Sequence, residues 1–242
     1  MEIHVAVAKI NKYATSESGD TLEIVERPNA GISIVLADGQ TSGKGAKVIS
    51  TMVVRKVISL LAEGVRDGAA ARAASDYLFT ERAGKVTATL NILSADLQTG
   101  TLVITRNNPS PVFIARLGKV ECLSGESVSI GTSRNIRPSI VEFPLESGIT
   151  IIIYTDGIRD AGDRNGQSLD ICTLVEATLE DRDPSAQELA DLILGHALRL
   201  DNNRPNDDMS VVVLRTNSLE TDQIRRMTVR LPVPPLYTPP QM

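Results

Sequence analysis

The chain has 242 residues, enough for one large domain or two small ones, and 42% of them are apolar, normal for a protein with a sizeable core. Its net charge of −5 excludes a basic nucleic-acid footprint, and an aromatic content of 3% argues against a base-stacking platform. Met1-Glu2-Ile3-His4-Val5 lacks a basic start and an apolar signal region, and no apolar run approaches the roughly 20 residues of a membrane helix, so a soluble, cytoplasmic protein is expected.

In chain order, Ile3-Val5-Val7 alternates as a strand. Thr21 to Glu26 and Gly31 to Ala37 read as two more, joined by the turn residues Arg27-Pro28-Asn29-Ala30. From Gly45 the period changes. Val48, Met52, Val53, Val57, Leu60 and Leu61 recur at three- and four-residue spacing, which predicts a long amphipathic helix ending near Gly64. The Ala-rich stretch Asp67 to Ala83 predicts a second helix. Strands follow at Val86 to Asp96, Thr101 to Arg106, Val112 to Leu117, Lys119 to Leu123, Ser139 to Phe143 and Ile149 to Thr155. Ser185-Ala186-Gln187-Glu188 is a capping box opening a helix through Leu200, and Met209 to Arg215 is a last strand.

Runs of strands with short turns predict antiparallel pairing, and helices in separate blocks predict an α+β chain rather than alternating βαβ units. Ile32 to Leu36 and Ile149 to Tyr154 are almost wholly apolar, so both of their faces need cover. A layered sandwich provides it. Residues 1–216 form the expected domain. Residues 217–242 contain Pro232, Pro234, Pro235, Pro239 and Pro240 and read as an extended tail, or as a self-docking or partner-binding arm.

Several chemistries are excluded by count or spacing. Cys122 and Cys172 lie 50 residues apart with no CxxC spacing and read as reduced thiols. Two histidines, His4 and His196, cannot make a His-rich zinc site, and no G-x-S-x-G elbow accompanies them. His196 reads as a helix-face residue. Gly43-Lys44 is no P-loop, because that motif would need Gly where Asp38 stands and Ser or Thr where Gly45 stands. An Asp-nucleophile phosphatase would need Asp where Leu36 stands.

The carboxylates remain. Asp38-Gly39 and Asp156-Gly157 each follow a core strand, and Asp207-Asp208 immediately precedes one. Singly, each Asp-Gly is a common turn pair. Together at one sheet edge, the charges would oppose one another's ionisation and require cations. Oxygen ligands without His or Cys select Mg²⁺ or Mn²⁺. Two such ions roughly 3.5–4 Å apart could clamp a phosphoryl group and activate water. A glycine after Asp38 would let the backbone come close enough for its carbonyl to bind a metal.

Four motifs in order carry a family likeness: Ser18-Gly19-Asp20, Leu36-Ala37-Asp38-Gly39, Tyr154-Thr155-Asp156-Gly157 and Asp207-Asp208-Met209-Ser210 with Val211-Val212-Val213. Over about residues 1 to 216 the chain resembles the metal-dependent PPM (PP2C-like) serine/threonine phosphatases of the SpoIIE/RsbU/RsbX branch, closest to the stand-alone RsbX type. Thr87-Ala88-Thr89-Leu90, Asn107-Asn108-Pro109 and Ser129-Ile130-Gly131 fall where that branch has similar segments.

The resemblance implies a four-layer αββα sandwich. It also implies two ions, Mn²⁺ or Mg²⁺. Asp38 would bridge both, the Gly39 carbonyl would bind one, and Asp156 and Asp207 the other. Asp20 would hold a metal-bound water, and Asp208 ranks behind Asp207. The implied reaction is hydrolysis of phosphoserine or phosphothreonine by a metal-bridging hydroxide. Its implied substrates are STAS-type or stressosome proteins of a bacterial partner-switching pathway. The competing reading is a non-catalytic interaction domain of the same fold. The chain departs from the branch's Asp-Gly-Met-Gly-His-Gly at Gln40-Thr41-Ser42, and it marks no arginine for the phosphate. Arg106, Arg134, Arg159 and Arg164 are candidates whose plainer reading is surface residues.

Overall fold

The computed structural model describes residues 1–28, 30–218, 224–230 and 232. Most of the proline-rich stretch, including Pro234, Pro235, Pro239 and Pro240, lies outside the described residues.

Among the described residues, ten strands form two antiparallel sheets of five. The first contains β1 (Glu2–Ile10), β6 (Val112–Arg116), β7 (Lys119–Leu123), β9 (Thr150–Tyr154) and β10 (Met209–Asn217), in the order β1-β10-β9-β6-β7. The second contains β2 (Asp20–Glu26), β3 (Ile32–Gly39), β4 (Ala88–Asp96), β5 (Thr101–Asn107) and β8 (Ser139–Pro144), in that order. Helices α1 (Gly43–Ala62) and α2 (Asp67–Arg82) cover the second sheet. Helices α4 (Ile171–Asp181) and α5 (Ala186–Leu200) cover the first. A short helix, α3 (Asp156–Arg159), follows β9 directly.

The expected four-layer αββα sandwich is the observed architecture, and the reason is the double-faced burial of its strands. In β3, Ile34 and Leu36 face the other sheet, while Val35 and Ala37 pack under α1 and α2. Ile151 and Ile153 of β9 join the inter-sheet core, while Ile152 and Tyr154 pack toward α4 and α5. Truncating the buried Leu36 to Ala would cost about 2–5 kcal/mol.

The structure adds detail at three places. Strand β3 continues through Asp38 and Gly39, because β4 pairs with both: Asp38 opposes Thr89 and Gly39 opposes Ala88. The motif is therefore the last rung of a ladder, not the turn after it. Helix α4 is absent from the sequence reading. Its signal was Ile171, Leu174, Val175, Thr178 and Leu179 at helical spacing, behind an Asp170 cap that accepts from Thr173 N. Arg27, read as a turn residue, buries its side chain in an ion pair with Asp67, joined by Ser94 Oγ donating to Asp67 Oδ2 at 2.5 Å.

Candidate metal centre

Antiparallel pairing brings the four motifs to one rim. In the second sheet, Asp20 at the start of β2 lies directly opposite Asp38 near the end of β3. In the first, Val211 opposes Tyr154, so Asp156 just past β9 and Asp207 just before β10 meet at the same edge. Hydroxyls join the sheets there. Ser210 Oγ and Thr155 Oγ1 donate to Asp20 Oδ2 at 2.5 and 3.1 Å. The ammonium groups of Lys9 and Lys47 both donate to the Asp20 carbonyl, at 2.7 and 2.9 Å.

The glycines of the motifs act by close approach. A Cβ on Gly39 would lie 2.1 Å from the Ala46 carbonyl oxygen, so this residue lets α1 press against the end of β3. A Cβ on Gly157 would lie 2.2 Å from the Asp208 carbonyl oxygen. Neither glycine has a positive φ. The left-handed residues of this loop are Gly43 (φ 69°) and Thr41 (φ 80°), and for a β-branched residue that conformation is strained. Gln40 anchors the loop, donating its N–H to the Thr87 carbonyl at 3.0 Å and accepting the Thr87 N–H on Oε1 at 2.9 Å.

The electrostatics are those of crowded like charges. Burial, then the charges of Asp20, Asp156 and Asp207, push the Asp38 carboxyl up to about 9. Burial raises Asp20 to about 6 against the opposing pull of the Ser210 bond and the Lys9 charge. Burial and Asp207 raise Asp156, opposed by the Arg159 guanidinium. One oxygen, Asp20 Oδ1, is buried with no hydrogen-bond partner. Ionised carboxylates offer no donor to one another, so a shared proton or a cation is what would satisfy it.

This donor set fits hard divalent cations: the oxygens are carboxylate or carbonyl, half-buried to buried, and mutually repulsive when ionised. Among the described residues, no three carboxylate, imidazole or thiolate side chains are already gathered as a closed metal cage. A cation would therefore have to draw them the remaining distance.

The other predicted residues divide. Asp208 is 3% exposed, and its carboxylate accepts from Lys12 N at 2.9 Å and Gly19 N at 2.7 Å. It ties the loop before β2 to the start of β10. Arg106 corrects the surface reading: it is 3% exposed and donates to the carbonyls of Ser110, Leu123 and Gly125. Arg134 and Arg164 are exposed. Arg159 is half-buried beside the rim, pairing with Asp160 and donating to Ser110 Oγ at 3.2 Å. Lys9 and Lys47 carried no signal in the sequence, because each fits an ordinary polar position of its strand or helix.

The family described as Stage II sporulation protein E (SpoIIE) matches residues 28–217. The Stage II sporulation protein E of Bacillus subtilis (strain 168) is 24% identical over 247 residues, covering 97% of this chain and 29% of that protein. The chain thus spans under a third of the length of that curated relative. A structure of the PP2C phosphatase domain and a regulatory fragment of SpoIIE from Bacillus subtilis superposes with a TM-score of 0.76 at 23% identity, covering 89% of this chain and 63% of that one. RsbX in complex with magnesium gives 0.67 at 16% identity, covering 89% and 96%. The catalytic domain of the serine/threonine phosphatase PstP with two manganese ions gives 0.68 at 16%, covering 89% and 99%. These similarities place the fold among PP2C-type phosphatases. Among the described residues no helix is long and apolar enough to cross a membrane. With its motifs on one rim and its family match running from residue 28 to the end of β10, the chain belongs to the SpoIIE family.

Proposed function

We propose that this chain is a Mg²⁺- or Mn²⁺-dependent phosphatase acting on phosphoserine or phosphothreonine in proteins. The observation that carries this reading is the convergence of Asp38, Asp20, Asp156 and Asp207 on one rim, where Asp38 meets the charge of the other three. Asp38, Asp156, Asp207 and the Gly39 carbonyl would hold two cations. Such ions supply positive charge to phosphoryl oxygens and acidify water. Asp20, fixed by Ser210 and Thr155, presents the unpartnered Oδ1 as an acceptor for a water proton. Asp208 keeps the loop before β2 in register with that acceptor. Arg159, whose charge reaches Asp156, stands beside the rim and could reach a phosphate by exchanging its contacts with Asp160 and Ser110 for it.

The catalytic unit is taken as residues 1–216 and the remainder as a tail. Phosphorylated STAS-type or stressosome regulators are the proposed substrates, a class suggested by the likeness to the RsbX branch. Hydrolysis of p-nitrophenyl phosphate tests the reading. It is expected to require Mn²⁺ or Mg²⁺, to stop in EDTA, to disappear in Asp156→Ala and to survive removal of residues 220–242. A wild-type chain inert with either ion would instead support a binding domain built on the same fold.

A further inference from the structure

The core-facing side of α1 carries Ile49, Val53, Val57 and Leu61. Its other side should be plainly polar, yet a groove of about 730 Å³ runs along it. Its lining residues on α1 run from Lys44 to Ser59 and recur at the three- and four-residue steps of one helix face. They therefore form one continuous stripe of roughly 22 Å at 1.5 Å per residue. Tyr77 of α2 closes the far end, with the Lys56 ammonium 5.7 Å from its ring centre. Val48 is 51% exposed and Tyr77 37%.

Four cations line this groove against a single carboxylate, Glu17. None of the four is ion-paired among the described residues, whereas Arg27, Arg116, Arg159 and Arg215 elsewhere all are. An unneutralised basic stripe is notable in a chain of net charge −5. The stripe also has a direction. Lys47 joins the stripe to the carboxylate rim: it lines the groove and donates to the carbonyl of Asp20.

We propose that this groove is the docking track for an acidic segment of the phosphoprotein substrate, lying to one side of the phosphorylated residue; this rests on the phosphatase reading above. An extended peptide advances about 3.3 Å per residue, so the stripe accommodates about seven residues. Glutamates and aspartates would meet Lys44, Lys47, Arg55 and Lys56, while small apolar residues between them meet Val48, Met52 and Tyr77. The track adds affinity and direction to a substrate whose phosphate is handled at the rim.

The test uses the double variant Arg55→Glu/Lys56→Glu, whose side chains stand well along α1 from the rim. The probes are a fluorescent peptide with one phosphoserine followed by about seven acidic residues, sized to the stripe, its Gln/Asn counterpart, and an unphosphorylated copy of the acidic peptide. Binding of the unphosphorylated acidic peptide is read by anisotropy in EDTA. Wild type is expected to prefer the acidic over the neutral peptide, the preference fading with salt, and the variant to bind it about tenfold more weakly. Hydrolysis of p-nitrophenyl phosphate should be equal in the two proteins, while KM for the acidic phosphopeptide rises and kcat holds. Equal binding of acidic and neutral peptides overturns the proposal, as does undiminished binding by the variant, or binding of phosphatidylglycerol vesicles without peptide preference. If wild type fails to hydrolyse p-nitrophenyl phosphate, the phosphatase reading falls, and the anisotropy result still decides what the groove binds.

Discussion

The two ends of strand β3 solve opposite problems with similar residues. Near its start, Ser33 bonds Ser94 at 2.6 Å, Ser94 donates to Asp67, and Asp67 is paired with Arg27, which also donates to the Val65 carbonyl at 2.8 Å. The Arg27 and Asp67 side chains are both under a tenth exposed, and the acid and the base neutralise each other inside the protein. Near its end, Asp38 faces three more carboxylates, and Asp20 Oδ1 has no partner. One end is closed electrostatically by the chain itself. The other gathers more negative than positive charge: Lys9 and Lys47 donate to the Asp20 carbonyl rather than to a carboxylate, and Arg159 is paired with Asp160. Each end keeps one buried polar atom without a hydrogen-bond partner, Arg27 Nε and Asp20 Oδ1, but only at the end of β3 is the charge itself unbalanced, and that imbalance marks where something outside the chain is expected to bind.

The sharpest break of that contrast is Asp67→Ala. It strands the Arg27 guanidinium, and removing one member of a buried pair costs about 3–5 kcal/mol. Thermal unfolding should show a large drop, in the presence or absence of metal. A melting temperature close to wild type would mean that Arg27 finds water or another acceptor.

Asp38→Asn should do the reverse in metal-free protein, raising stability by about 1–3 kcal/mol while abolishing stabilisation by Mn²⁺. The pH dependence gives the sign independently. Folding raises Asp38 from 3.8 to about 9, so the folded chain binds the extra proton. Stability from this group is fully present below the unfolded value and declines as pH climbs toward 9. In EDTA, urea midpoints should therefore fall across that window in wild type and fall less in Asp38→Asn. Saturating Mg²⁺ should flatten the wild-type slope. A wild-type midpoint independent of pH in EDTA would contradict the crowding of charge at this rim.

Thr41→Gly is the smallest effect. It relieves a β-branched residue at φ 80°, an unfavourable conformation costing about 1–2 kcal/mol, partly offset by the chain entropy of glycine. A gain of about 0.5–1 kcal/mol in chemical denaturation is expected. A loss would mean that the threonine side chain makes a contact worth more than the strain.

Much of this protein was legible in its residues alone. Alternation in β1, helical spacing in α1 and the capping box of α5, where Ser185 and Glu188 bond reciprocally, are local signals with one physical reading each. The apolar strands around Ile34 and Ile151 demanded cover on both faces, and that requirement specifies layers. The acidic motifs were visible as ordered pairs, and their shared position beside core strands followed from the chain.

What the tertiary structure decided is everything that depends on which atoms meet across long separations. That Asp20 accepts from Thr155 and Ser210, 135 and 190 residues away, is set by sheet packing that no local pattern encodes. The same holds for Asp208 holding Gly19, the buried Arg106 clamping the carbonyls of Leu123 and Gly125, and Lys9 and Lys47 meeting at one oxygen. Asp-Gly is a common turn pair, and the residues alone suggested a close backbone approach only at Gly39, toward a metal. Packing showed that at both Gly39 and Gly157 the missing Cβ makes room for a neighbouring carbonyl of the chain. Periodicity reports which face of an element is buried. Partner identity depends on how the faces are assembled, and that is a property of the fold.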